Sequence, residues 1–211
     1  MGKYLAEFIG TFFLVCTVGC TVIEPGAGNL APLAIGSALM VMVFAGGHVS
    51  GGHFNPAVTL AVALRGKCEW KDVPGYMISQ VLGAIAAASI VTFLKAGAAV
   101  KALEPPVAQA IVAEFLFTFA LCYVVLNVAT AKGTAGNSYF GLAIGFTVLI
   151  GAYSVGGISG GAFNPAVAVG ITVMGISKLA NLWIFLVGNF LGGAAAASIF
   201  RITSPESHEA A

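Results

Sequence analysis

Two tripeptides stand out among the residues equipped for chemistry: Asn55-Pro56-Ala57 recurs as Asn164-Pro165-Ala166, 109 residues later (164 − 55). A lone Asn-Pro is ordinary helix-start chemistry. The Asn side chain accepts from the first free N–H groups, and proline suits the first helical position because its missing N–H would be unpaired there anyway. A matched pair has a further use. A side-chain amide carries donor hydrogens as well as an acceptor, and a helix N-terminus carries about half a positive charge. Two such ends brought together can donate to a polar oxygen while repelling cations. Glu7 and Glu114 form a second matched pair, two carboxylates within apolar stretches, and His48 and His53 stand just before the first box.

Other chemistry is poorly supplied. No nucleophile and base form a credible pair, so catalysis is not expected. Cys16, Cys20, Cys68 and Cys122 make no Cys-x-x-Cys pair, and no Cys or Asp accompanies the two histidines, so neither a metal site nor a cofactor is expected. With 9 Lys+Arg against 8 Asp+Glu there is no basic patch for nucleic acid.

The elements that must position these residues belong in lipid. Charged residues make up 8% of the 211, apolar residues 59%, and mean hydropathy is +0.99. That charge is too sparse to cover a water-facing surface. Apolar spans are expected near 4–23, 33–47, 75–94, 108–130, 139–154 and 180–200, separated by turn-forming clusters such as Glu24-Pro25-Gly26 and Lys132-Gly133. Trp183, Tyr4 and Tyr76 near span ends read as interface anchors, and Gln80, Asn189, Gly83 and Gly192 as close-packing positions.

The chain is written twice. Ala6-Glu7-Phe8 matches Ala113-Glu114-Phe115 at an offset of 107 (114 − 7). Leu33-Ala34-Ile35-Gly36 matches Leu142-Ala143-Ile144-Gly145, and Ala86-Ala87-Ala88-Ser89-Ile90 matches Ala195-Ala196-Ala197-Ser198-Ile199, both at 109 (142 − 33, 195 − 86). The expected organisation is one membrane domain of two repeats, 1–104 and 108–201, with a short cytoplasmic tail at 202–211. Three spans per repeat is an odd number, so the second half enters the membrane from the opposite side and the repeat is inverted. With both termini in the cytoplasm, six basic residues (Lys3, Arg65, Lys67, Lys71, Lys132, Arg201) lie inside and three (Lys95, Lys101, Lys178) outside, the favoured bias.

The segments that start at Pro56 and Pro165 are apolar but too short to cross. Running to Arg65 and Met174, each is about 15 Å of helix, half of a hydrocarbon core of roughly 30 Å. Each dips in and stops midway. The Gly46-Gly47, Ser50-Gly51-Gly52, Gly156-Gly157 and Ser159-Gly160-Gly161 runs before them are expected to form irregular backbone, which survives at membrane depth only inside protein or beside a watery cavity. Inversion then brings Asn55 and Asn164 face to face near the midplane.

The two Asn-Pro-Ala boxes in duplicated halves, Ala-Glu-Phe near the start of each half, and Gly-His-Val-Ser-Gly-Gly-His-Phe at 47–54 together resemble the aquaporin, or major intrinsic protein, family over essentially the whole chain. The resemblance implies an all-α hourglass fold of six transmembrane helices and two half-membrane re-entrant helices. It also implies a single-file pore in each subunit and a homotetramer in the bilayer of a plasma or inner membrane. The expected function is passive passage of water, with ammonia, urea or hydrogen peroxide as further small neutral solutes. In the family the position of His48 often helps to line the cytoplasmic mouth; a loop-bracing hydrogen bond is the plainer alternative.

An intramembrane carboxylate is expensive unless bonded, so Glu7 and Glu114 are expected to brace the loops before the half-helices by accepting from their backbone N–H groups. The competing reading is an inverted-repeat secondary transporter, or an ion channel, that uses Glu7 and Glu114. No Lys, Arg or Asp within the spans is available for exchange with them.

The sequence departs from the family at the outer constriction. Most of the family's water channels carry Arg three residues after the second box Asn, and here that position is Val167. Family spacing makes Ile35, Ala152 and Gly161 the other members. None offers a charge or a side-chain donor, so a wider and greasier opening than a strict water filter is expected. Ala168 in place of Asp just after the second box, with the short loops, argues against the glycerol-type branch.

Overall fold

A computed structural model of the chain describes residues 1–205. Its helices are α1 (Gly2–Val22), α2 (Ala31–Ser50), α3 (Pro56–Leu64), α4 (Val73–Leu94), α5 (Val107–Thr130), α6 (Phe140–Ser159), α7 (Pro165–Val173) and α8 (Leu182–Thr203). Among the described residues, six helical spans are long and apolar enough to cross a membrane. Helices suit lipid because each satisfies its own backbone polar groups. The same long-long-short-long order occurs in each half. The tail expected at 202–211 is helical through Thr203, and residues 206–211 lie outside the described residues.

The half-helices α3 and α7 have 9 residues each, about 14 Å, and end one residue earlier than expected. A larger difference lies just before them. The glycine pairs Gly46-Gly47 and Gly156-Gly157, expected in irregular backbone, are helical, so α2 and α6 run to Ser50 and Ser159. Both helices stop one residue later in a left-handed glycine, Gly51 (φ +88°) and Gly160 (φ +98°). The helical glycines serve clearance instead: a Cβ at Gly52 would lie 3.3 Å from the Gly47 Cα, so the returning loop passes almost against the helix it has just left.

Helices pair across each half, α1 with α4 and α5 with α8, while α2 and α6 join the halves. Close approach requires Gly83 and Gly192: a Cβ there would come within 2.5 Å of the Phe8 carbonyl oxygen and 2.6 Å of that of Phe115. Large apolar side chains such as Leu5, Ile78, Phe93 and Ile150 are exposed on the outside, as a lipid-facing surface requires. The interior is packed with small residues, among them Ala84, Ala87, Ala88 and Ala196 at 0% exposure.

Candidate functional site

The two half-helices meet through their caps. Asn55 Oδ1 accepts from Ala57 N at 2.8 Å, and Asn164 Oδ1 accepts from Ala166 N at 2.9 Å and Val167 N at 3.4 Å. Each amide nitrogen crosses to the opposite half: Asn55 Nδ2 donates to the Phe163 carbonyl at 2.9 Å, and Asn164 Nδ2 to the Phe54 carbonyl at 2.8 Å. One hydrogen of each NH₂ group is thereby used, leaving the other available to the cavity beside it.

Phe54 and Phe163 both have φ of +48°, the left-handed region that bulky residues avoid at about 1–3 kcal/mol. Side chains from distant helices hold them there. Glu7 accepts from Ser50 Oγ (2.6 Å), His53 N (2.9 Å), Phe54 N (2.6 Å) and Gln80 Nε2 (2.8 Å). Glu114 accepts from Ser159 Oγ (2.7 Å), Ala162 N (3.0 Å) and Phe163 N (2.7 Å). Both carboxylates are completely buried. The N–H of each strained Phe is therefore fixed by a glutamate and its carbonyl by the opposite Asn. Nothing in the residue type signals this, since the glycines alone suggested unusual backbone.

A narrow passage runs through this meeting point. Its polar side chains are His53, Asn55 and Asn164; the remaining wall is apolar or glycine. The wall follows the repeat: Leu14 is matched by Leu121, Val18 by Val125, Ile35 by Ile144, and Val58 by Val167. Ile35, Ala152, Gly161 and Val167, expected together at the outer constriction, all lie on this wall. His53 breaks the symmetry, because Ala162 occupies its counterpart position.

The passage shares walls with a wider vestibule at each end. His53 and Val125 also line the one near the N-terminus, while Val22, Ile35, Ala152 and Gly160 also line the opposite one. His48 is exposed in the wide N-terminal vestibule; His53 stands where that vestibule narrows. His53 is held by Thr59, with Nδ1 to Oγ1 at 3.1 Å, and packs against the Tyr76 ring at 5.0 Å between centroids. Lys101, Glu104 and Lys178 rim the far vestibule, where Lys178 pairs with Glu104.

Two expected roles are corrected. Tyr76 is no interface anchor: it is buried and its hydroxyl donates to the Ser50 carbonyl at 2.8 Å. Gln80 does more than permit close packing, since it donates to both Glu7 and Thr59, the latter at 2.9 Å. Both partners lie on other helices distant in sequence, Glu7 on α1 and Thr59 on α3, and hydropathy carries no trace of them. Trp183 is half exposed at a helix start, and the Tyr4 hydroxyl donates to Asp72 at 2.8 Å. Asp72 also takes Lys3 Nζ at 2.6 Å, and these two donors, Lys3 first, hold its carboxyl below the ordinary value.

Among solved structures, the fold is similar to that of the aquaglyceroporin from Plasmodium falciparum, with a TM-score of 0.81, 22% identity, and 99% and 98% of the two chains covered. The chain is 39% identical to aquaporin NIP1-4 of Oryza sativa subsp. japonica over 94% of this chain and 77% of that one. It is 37% identical to glycerol uptake facilitator protein-like 6 of Lactiplantibacillus plantarum over 98% of this chain and all of that one. The family description matched by residues 1–200 is that of the major intrinsic proteins. With paired Asn-Pro-Ala boxes at the meeting of two half-helices in an inverted repeat, this multi-pass membrane chain belongs to the major intrinsic protein family.

Proposed function

We propose that the protein is a passive channel for water and small neutral solutes, working as a homotetramer with a passage in each subunit and both termini in the cytoplasm. The observation that carries the reading is the passage itself, which shares walls with a vestibule at each end and is polar chiefly where α3 and α7 meet. A water beside Asn55 and Asn164 accepts from their free amide hydrogens, so its own hydrogens point away toward the two ends. Held in that orientation it cannot take a proton from its neighbour. The two helix N-termini make the same point electropositive and repel cations. Water passes and the proton wire is broken.

At the outer constriction Val167 and Ile35 offer no donor, and Gly161 offers only backbone. This favours small neutral solutes such as ammonia, urea or hydrogen peroxide beside water. Likeness to a relative named as a glycerol uptake facilitator keeps glycerol in the solute panel, although Ala168 argued against that branch. Exchange transport at Glu7 and Glu114 needs carboxylates on the passage wall. Both are instead engaged by loop donors and lie off its wall.

Stopped-flow light scattering on proteoliposomes, with water, glycerol, urea and ammonia as permeants, tests the reading. Faster water flux without ion current is expected. Solute flux that saturates and depends on a proton gradient would instead point to transport.

A further inference from the structure

The two buried glutamates sit in equivalent surroundings that differ at three places. In the first half a polar chain runs from the passage wall to the carboxylate: His53 bonds Thr59, Thr59 accepts from Gln80, and Gln80 donates to Glu7 Oε2. At the repeat offset of 109, His53 becomes Ala162 (162 − 53), Thr59 becomes Ala168 (168 − 59) and Gln80 becomes Asn189 (189 − 80). Every link of the chain is thus shortened or removed.

The hydrogen bonds differ accordingly: in the first half the Gln80 amide nitrogen is satisfied, and Gln80 Oε1 and Thr11 Oγ1 are buried atoms without a protein partner. Glu7 Oε2 accepts from Phe54 N and from Gln80 Nε2, whereas Glu114 Oε2 accepts from Phe163 N. Asn189 Oδ1 takes the Thr118 hydroxyl at 2.9 Å, and Asn189 Nδ2, on a side chain with 0% exposure, has no protein partner. The backbone of α8 lies directly against the glutamate here, since a Cβ at Gly188 would be 2.8 Å from Glu114 Cβ. A buried amide N–H without a partner is unfavourable. Relative to the first half, the Gln-to-Asn and Thr-to-Ala differences remove a methylene, a methyl and a hydroxyl, three heavy atoms against the one of a water.

We propose that one ordered water is bound behind the second Asn-Pro-Ala loop. It accepts from Asn189 Nδ2 and donates to Glu114 Oε2, in the place that the Gln80 amide holds in the first half. Two to four polar partners are what a buried water requires. If the Asn189 amide is turned over, Oδ1 becomes the atom without a partner and the water donates to it and to Glu114, so the site does not depend on that assignment. Ala162, whose N–H bonds Glu114, lies on the passage wall where His53 stands in the first half.

A structure of the purified protein in lipid, at a resolution that orders buried waters, tests the assignment. Expected is a density peak within hydrogen-bond distance of both the Asn189 amide and Glu114 Oε2; no peak there overturns the proposal. The double variant Ala168→Thr, Asn189→Gln restores the Thr and Gln links of the first-half chain, with Ala162 left in place of the His. It is expected to expel the water, because the longer amide then donates to Glu114 directly, as Gln80 does to Glu7. A peak that persists at the same place in the double variant would show that it is not held by these groups. Should the variant fail to fold, the density in the unaltered protein still decides.

Discussion

Asn55 donates its amide hydrogen to the carbonyl of Phe163, 108 residues away, and Asn164 returns the bond to Phe54. The two half-helices are therefore tied by reciprocal side-chain bonds and do not merely abut. Each Asn does three things: it caps its own helix, fixes the opposite loop, and presents its remaining hydrogen to the passage.

Asn55→Asp separates these tasks. The carboxylate still caps α3, but it loses the donor to the Phe163 carbonyl and sets a negative charge where the helix ends are positive. Water flux is expected to fall only modestly while cation conductance appears, read as current across a planar bilayer. An unchanged ion barrier would mean that the charge at the half-helix ends does not exclude cations.

Glu114→Ala removes the acceptor for Ser159, Ala162 and Phe163 at once. Each stranded buried donor costs about 1–3 kcal/mol, and the left-handed Phe163 loses its anchor. Folded yield and Tm in detergent are expected to drop sharply, and Glu7→Ala is expected to behave alike. A stable variant that loses only a proton-coupled activity would support transport.

Much of this arrangement is legible in the sequence because its causes are local or repeated. Asn before Pro announces a helix start, apolar length announces a span, and blocks recurring at offsets of 107 and 109 announce the duplication. A buried carboxylate must find donors, and the loops before the half-helices supply them. What hydropathy cannot show is which distant groups meet. The αL backbone of Phe54 and Phe163 depends on a glutamate from another helix, and the helical Gly47 leaves room for Gly52 to pass. His53 rather than His48 stands at the narrowing because α2 continues three residues beyond the expected end at 47 and carries His48 out to the vestibule.

Val167→Arg is expected to narrow the outer constriction and add a fixed charge in a poorly screened place. Ammonia and urea flux should fall more than water flux, and residual proton leak should fall too, all measured in the same vesicles. Equal suppression of every permeant would mean simple plugging. No change at all would remove Val167 from the rate-limiting part of the path.

The Asp72 contact with Lys3 and Tyr4 gives a pH dependence of definite sign. Its carboxyl is held below the ordinary 3.8, so the contact contributes stability above that value and loses it as pH falls through the lowered one. The Tm difference between the unaltered protein and Asp72→Asn is expected to be constant from neutral pH downward and to close only below 3.8. A difference that persists there would show that the ionised carboxylate is not what matters.

Passive water conduction is tested most directly by the temperature dependence of osmotic water flux in proteoliposomes, measured with a pH-sensitive dye inside. A water-filled passage removes the need to dissolve water in hydrocarbon, so fast flux is expected, with an activation energy well below that of empty vesicles and no accompanying proton entry. Flux and activation energy equal to those of empty vesicles, with folded protein shown to be present, would contradict it.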